Sequence, residues 1–435
     1  MKKTLPLMLA FIMLVTLMAG CGNSNSSTGN DAAVSPSSST DTSKTAEKVP
    51  VTFWTLSTEQ PAMDPLLQKF TEENPNYEVK VSYYGTDALK DACKVAASSG
   101  SLPNAWQNFG GSFARFYVDN GCAYDLTQYA KDKGWSNKFN PSALGLCTFN
   151  EKVYGYPTAF NVIGVYYKKD LFDKYGIQVP KTFDEFEKVC ATLKSNGVIP
   201  ITTAGINGWH VMRFVELFVE NYAGTQLHDQ LNAFQTSWDC DAVVQALTKY
   251  QEFCDKEYFI KGFTAINPDD VNIPLFKGDA AMITEGQWLD GVLTQNGQDL
   301  KNYGSFALPT STSRLSSFGN MTQYNAKNTP EELDACTSFF DYYYSDASAD
   351  LYPQNYSRPL PVQGAKMPEG QPDVANLIGA SETNGTFTIT DQAFPAEVAD
   401  ALFNVQDGIA NHKMTPKEGA AKIEAAIEAY KSKSK

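Results

Sequence analysis

The amino-acid sequence predicts an α/β protein of two lobes, each a doubly wound sheet flanked by helices, and three observations carry that prediction. From Val51 onward compact apolar strands alternate with amphipathic helices, the pattern of parallel strands joined by helical crossovers. The stretch from about Pro50 to Lys435 is well above the size at which a single hydrophobic core splits, so two lobes are expected. A hydrophobic content of 43% with 12% aromatics makes that stretch globular.

Ahead of the globular part, Lys2 and Lys3, an apolar run from Leu5 to Met18, and the small residues Ala19 and Gly20 lead to Cys21. Residues 1–20 are expected to be a secretory signal whose mature first residue is Cys21, the thiol that lipoprotein maturation modifies. Met18 stands where such signals usually carry leucine, and an ordinary cleaved signal peptide is the alternative; the run is too short for a comfortable transmembrane helix. Gly22 to Val49 is rich in Ser, Thr, Asn and Gly, with no large aromatic residue, so it cannot bury enough surface to fold. Residues 21–49 are therefore expected to be a lipidated cysteine followed by a flexible tether of roughly 30 Å reach.

Val51 to Thr55 is a compact apolar strand, and Ser57 to Gln60 a polar loop. Leu66, Leu67 and Phe70 share one face of a helix. Tyr77 to Tyr84 alternates as a second strand, Ala88 to Ala97 is helical, and Asn104 to Gln107 forms a third short strand. Loops at the carboxyl ends of such strands make the binding crevice, which puts Ser57–Gln60 and Asn108–Ser112 on one rim. Val153 to Pro157 and Val162 to Tyr167 are extended, and Lys168 to Phe172 opens a helix. Thr182 caps a further helix, answered three residues later by Glu185. Cys240 to Phe253 is helical, Phe276 to Met282 turns from a helix end into a buried strand, and Thr415-Pro416 opens a terminal helix with Ile423, Ile427 and Tyr430 on one face.

The formal net charge of −14 repels phosphate backbones and anionic headgroups, which argues against nucleic acid and against electrostatic membrane binding. With Cys21 assigned to lipid, seven cysteines remain, an odd number that cannot all pair. No two form a C-x-x-C, and the three histidines, His210, His228 and His412, lie far apart, so no structural metal site is expected. The cysteines read as small, buried apolar residues.

Six blocks carry a family resemblance: the F-W-T strand, Leu102-Pro103-Asn104 followed by Phe109-Gly110-Gly111, K-V-Y-G-Y-P, Y-Y-K-K-D-L-F, P-K-T-F-D-E-F and K-G-D-A-A-M-I-T-E-G-Q-W. From about Val51 to Tyr430 the chain resembles family 1 of the extracellular solute-binding proteins, the substrate-binding lipoproteins of carbohydrate ABC importers. The resemblance implies a type II periplasmic-binding-protein-like fold, with two lobes joined by a hinge and closing on a sugar. It maps the crossings onto Phe160–Ile163, Phe318–Gln323 and roughly Gly364–Gln371. Lobe one is then residues 50–159 and 324–366, and lobe two residues 160–323 and 367–435.

Sugar recognition needs aromatic rings for the C–H faces of a pyranose and polar groups for its hydroxyls. Trp288 matches the family's Gly-x-Trp platform; a core tryptophan is the alternative. Trp209, between Gly208 and His210, is a second platform, and His210 itself is read as a packing residue. Phe109 sits where related members tend to place tryptophan, beside Asn108 and a Gly110-Gly111 turn that lets a ligand approach the backbone. Glu59, Gln60, Asn161, Asn320 and Arg358 complete the set; each could equally be a solvated loop side chain. Trp54 is read as core.

The function expected is capture of a sugar or oligosaccharide for ABC permease transmembrane subunits, by a monomer held through lipid on Cys21 at the outer face of a cytoplasmic membrane, on a Gram-positive surface. No catalytic residue, cofactor or metal is expected. A secreted glycoside hydrolase, with two carboxylates across a cleft, or the same fold with a polyamine or phosphate ester as ligand, remains the alternative; no nucleophile elbow, zinc motif or phosphate-binding loop is present.

Overall fold

A nine-stranded mixed sheet runs through the protein, described by a computed structural model over residues 48–345, 348, 361–363 and 370–433. Its strands are β1 (Val49–Leu56), β2 (Tyr77–Tyr84), β3 (Ala105–Phe109), β6 (Tyr156–Lys168), β7 (Ile199–Thr202), β8 (Ala280–Gly286), β9 (Tyr303–Phe306), β10 (Leu315–Tyr324) and β11 (Thr386–Thr388). A separate hairpin pairs β4 (Thr148–Phe149) with β5 (Lys152–Val153). The main path is β2-β1-β3-β10-β6-β8-β7, with β9 pairing β6 and β11 pairing β10.

The expected parallel arrangement holds for β2-β1-β3 and for β7-β8, while the sheet as a whole is mixed. β10 runs antiparallel to both β3 and β6, and β6 antiparallel to β8. The two extended segments expected on either side of Phe160 are one continuous strand, β6, buried along nearly all its length, as a central strand should be. Phe160–Ile163 and Phe318–Gln323, expected as crossings, lie inside β6 and β10 and face each other, Phe318 opposite Asn161 and Asn320 opposite Ala159. The ladder shifts register between Asn320 and Met321. Gly364–Gln371 lies almost wholly outside the described residues.

Two large apolar cores flank these central strands. One gathers Val51, Phe53, Leu66, Phe70, Trp135 and Phe340, with helix Gln60–Glu73 turning Ala62, Met63, Leu66 and Phe70 inward at helical spacing. The other gathers Phe214, Phe218, Trp238, Phe253, Ile423 and Ile427 under helices Trp209–Asn232, Asp241–Asp255 and Pro416–Lys433. Each such side chain contributes roughly 1.5–3 kcal/mol by leaving water.

Local signals act as expected. Thr182 accepts from the Glu185 amide, and the Glu185 carboxylate accepts from the Lys181 amide, one residue earlier than the reciprocal bond of a capping box. The expected loop at Ser57–Gln60 is tighter than predicted: Ser57–Glu59 forms one 3-10 turn and Gln60 opens the next helix. Helix Thr86–Ser99 starts after Gly85 and ends on Gly100, whose φ of 71° suits only glycine at little cost. Cys93, Cys147, Cys190 and Cys336 are buried, the other three half-buried, and burial pushes the Cys93 and Cys336 thiols up to about 12, out of reactive range. Among the described residues no helix is long and apolar enough to cross a membrane.

Candidate functional site

The carboxyl ends of β1, β2 and β3 open on a cleft of about 540 Å³ between the two cores, the position that strand topology favours for a ligand. Ser57, Gly85 and Phe109 line one side. Trp209, Arg213, Glu285 and Trp288 line the other, and Phe318 and Asn320 on β10 form part of its wall.

Trp288 sits two residues after Gly286, the end of β8, and its indole lies back over that glycine: a β-carbon there would fall 1.9 Å from the ring. The absent side chain is what lets the ring lie there. Phe318 meets the indole edge-on at 5.5 Å and continues to Phe109 at 6.3 Å, which in turn contacts Phe113 at 6.0 Å. On the neighbouring wall Trp209 opens its helix after Gly208, whose φ is 72° and whose β-carbon would strike Phe403.

Charges are set among these rings. The Arg213 guanidinium lies 5.0 Å from the Trp209 ring and 5.5 Å from the Trp288 ring, and donates to the Glu285 carboxylate and the Thr284 carbonyl, each at 2.9 Å. Burial alone would raise the Glu285 carboxyl, but Arg213 and His210 beside it hold it below the usual range, so it stays ionised rather than serving as a proton donor. Burial and the Arg213 charge push His210 down, leaving it neutral, with Nδ1 on the Thr203 hydroxyl at 3.0 Å. The Lys90 ammonium stands 5.1, 4.9 and 5.4 Å from the rings of Phe109, Phe113 and Trp209. Asp391, pushed up by burial, completes the lining. Apolar faces fringed with fixed donors and acceptors can stack a pyranose and satisfy its hydroxyls. Among the described residues no group of three His, Cys, Asp or Glu is placed to hold a metal ion.

Of the residues singled out in the sequence, Phe109, Trp209, Trp288 and Asn320 are brought together on the cleft. Asn161 is fully buried behind it, donating to Asn320 at 3.3 Å and accepting from Gln287 at 3.3 Å. Asn108 is buried and turned to Gln323, to which it donates at 2.8 Å. The Gly110 amide donates to the Gly319 carbonyl, and a β-carbon on Gly110 would meet Leu146 at 2.8 Å, so packing is what this glycine serves. Glu59 is buried beside Thr55, Met63 and Gln107, away from the cleft, and Gln60 is exposed and bonded to Asp64. Arg358 lies outside the described residues. Sequence reasoning missed Lys90, Phe113, Arg213, Glu285 and Asp391. One signal was available for Arg213: a charge inside the apolar run Val211–Val219 must find a buried partner.

Residues 54–350 match the family described as bacterial extracellular solute-binding protein. The chain is 28% identical over 324 residues to an uncharacterized ABC transporter extracellular-binding protein of Pyrococcus horikoshii, covering 71% of this chain and 69% of that one. It is 25% identical over 277 residues to the multiple sugar-binding protein of Streptococcus mutans, covering 60% and 63%. The chain thus spans between about half and two thirds of the length of several curated relatives it matches. Among solved structures, a chitin oligosaccharide binding protein superposes with a TM-score of 0.79 at 22% identity, covering 88% of this chain and 99% of that one. RafE in complex with raffinose gives 0.73 at 19%, covering 87% and 98%. These likenesses establish the two-lobed fold, and the match over residues 54–350 places the chain among the bacterial extracellular solute-binding proteins.

Proposed function

We propose that the protein captures a sugar or oligosaccharide in the cleft between its two cores and delivers it to the permease of an ABC importer, without chemistry on the ligand. The observation that carries this reading is a cleft with the rings of Trp209 and Trp288, the latter laid over Gly286, on one side and Phe109 on the other, and with Asn320, Lys90 and Arg213 in its lining. The sugar-binding names of relatives such as the multiple sugar-binding protein support the ligand class. Lobe one is taken as residues 50–159 and 324–366 and lobe two as residues 160–323 and 367–435, so β6 and β10 are the hinge strands. A ligand touching both lobes stabilises the closed form by its differential contacts, and the permease recognises that form. Cys21, lipidated behind its signal, tethers a monomer to the outer face of the membrane through the segment that follows it, which ends where β1 begins at Val49.

Titration of the folded body with galactose, maltose, raffinose, xylotriose and chitotriose, followed by tryptophan fluorescence, tests the reading. Saturable binding of at least one, with the sugar recovered intact after prolonged incubation, is the expected result. Hydrolysis that vanishes on replacing a single Asp or Glu would substitute a glycoside hydrolase, and a flat response to all five would remove the sugar reading.

A further inference from the structure

We infer that Asp87 is a latch: it holds the Trp209 indole from across the cleft and thereby slows ligand release, without itself lining the ligand's cleft. Asp87 stands in the first turn of helix Thr86–Ser99, which packs through Leu89 and Cys93 into a core with Leu56 and Trp106. Trp209 opens a helix whose Val211, Met212 and Phe214 belong to the large core that holds Phe218 and Trp238. Between them, the Trp209 Nε1–H donates to both Asp87 carboxylate oxygens, at 3.2 and 3.3 Å, and the Asn207 amide donates to one at 2.8 Å. Lys90 adds an ion pair to the same carboxylate at 3.5 Å. These bonds join elements rooted in separate cores, so any motion that parts the two sides of the cleft breaks them, and they count only toward the closed form.

The geometry also says how the latch reaches the ligand. Asp87 faces a second cavity of about 440 Å³ on the far side of Trp209, shared with Asp91, Asp400 and Asp407, whereas Trp209 lines both that cavity and the main cleft. Its indole is thus gripped at the N–H edge by Asp87 while Arg213 and Lys90 lie within cation–π distance of its ring. A ring stacked on a sugar and bonded to the opposite wall couples occupancy to closure, and the coupling is reciprocal. Asp87 is accordingly a positioning residue, acting through Trp209.

The inference rests on the sugar-capture reading, and its test separates the two. Stopped-flow fluorescence with the tightest-binding sugar among those five should give Asp87→Ala an association rate within about twofold of wild type and a dissociation rate raised roughly tenfold, because the loss of a contact falls mostly on the off-rate. Trp209→Phe keeps a stacking ring but removes the N–H; it should raise dissociation similarly, and the double variant should release no faster than the worse single one. Asp87→Asn retains one acceptor for the indole and should fall between wild type and Asp87→Ala. An unchanged dissociation rate in Asp87→Ala, or effects of Asp87→Ala and Trp209→Phe that multiply, would overturn the latch. If none of the five sugars binds wild type, the functional reading fails, and small-angle scattering of the unliganded proteins decides the latch: Asp87→Ala more expanded than wild type supports it, and superimposable curves remove it.

Discussion

Replacing Gly286 by alanine isolates the seat of the Trp288 ring from every other feature of the cleft. Gly286 closes β8 opposite Ile163 and is not among the glycines with positive φ, so its backbone accepts alanine without strain. The new methyl would lie 1.9 Å from one indole carbon and 2.4 Å from two others, where carbon atoms normally stand about 3.5–4.0 Å apart. The ring therefore has to move, out over the cleft or against Phe318, whose ring already meets it at 5.5 Å. Such overpacking costs roughly 1–3 kcal/mol of stability. A displaced stacking platform should weaken sugar binding by about 1–3 kcal/mol, roughly 5- to 150-fold, somewhat less than the roughly 2–4 kcal/mol expected for Trp288→Ala. Calorimetric titration with the best-binding sugar reads the affinity, and thermal melting separates it from unfolding. In a Trp288→Ala background the Gly286→Ala change should cost no further affinity, because the ring it displaces is gone. Full affinity in Gly286→Ala, or an equal loss in both backgrounds, would refute the platform.

Three further outcomes are expected. Burial, and then the nearby Asp373, push Asp290 up to about 7, so the native protein holds a proton that the unfolded chain releases near pH 4; stability therefore falls as pH rises from about 4 to 7. Asp290→Asn, which keeps an acceptor for the Asp373 amide, should flatten that slope in melting curves, leaving the share of Glu216, itself pushed up to about 8; an unchanged slope would acquit Asp290. Gln287 accepts from the Val162 amide and donates to the Phe160 carbonyl in mid-β6, so Gln287→Leu should cost roughly 2–4 kcal/mol in denaturant unfolding, against near-neutrality if those bonds carry nothing. Cys21→Ser should move the protein from the membrane fraction to the soluble one; retention at wild-type level would defeat the lipid anchor.

Features written in local patterns are legible in the chain itself. The strand Val49–Leu56, the helix Gln60–Glu73 with Leu66 and Phe70 inward, the cap at Thr182 and the terminal helix burying Ile423 and Ile427 each follow from a few consecutive residues whose spacing and end groups suffice. Phe109 and Trp288 are reached by another route, the family resemblance, which implies an aromatic before the Gly110-Gly111 turn and a Gly-x-Trp platform at Gly286-Gln287-Trp288.

Sequence by itself thus determined the two-lobed α/β class, most elements and three of the rings that meet on the cleft, Phe109, Trp209 and Trp288. Tertiary structure decided the mixed order of the sheet, because antiparallel pairing of β10 with β3 and β6 joins segments far apart in the chain. It also decided the polar half of the cleft. Arg213 meets Glu285, and Asp87 meets Trp209, across 72 and 122 residues, and neither partner carries a local signal for the other. Asn161 and Asn108 stand on or beside the predicted segments yet turn inward to Asn320 and Gln323, because a buried polar side chain takes whichever partner the assembled sheet presents. Apolar spacing is a property of one segment, whereas pairing of charges and amides is a property of the assembled core.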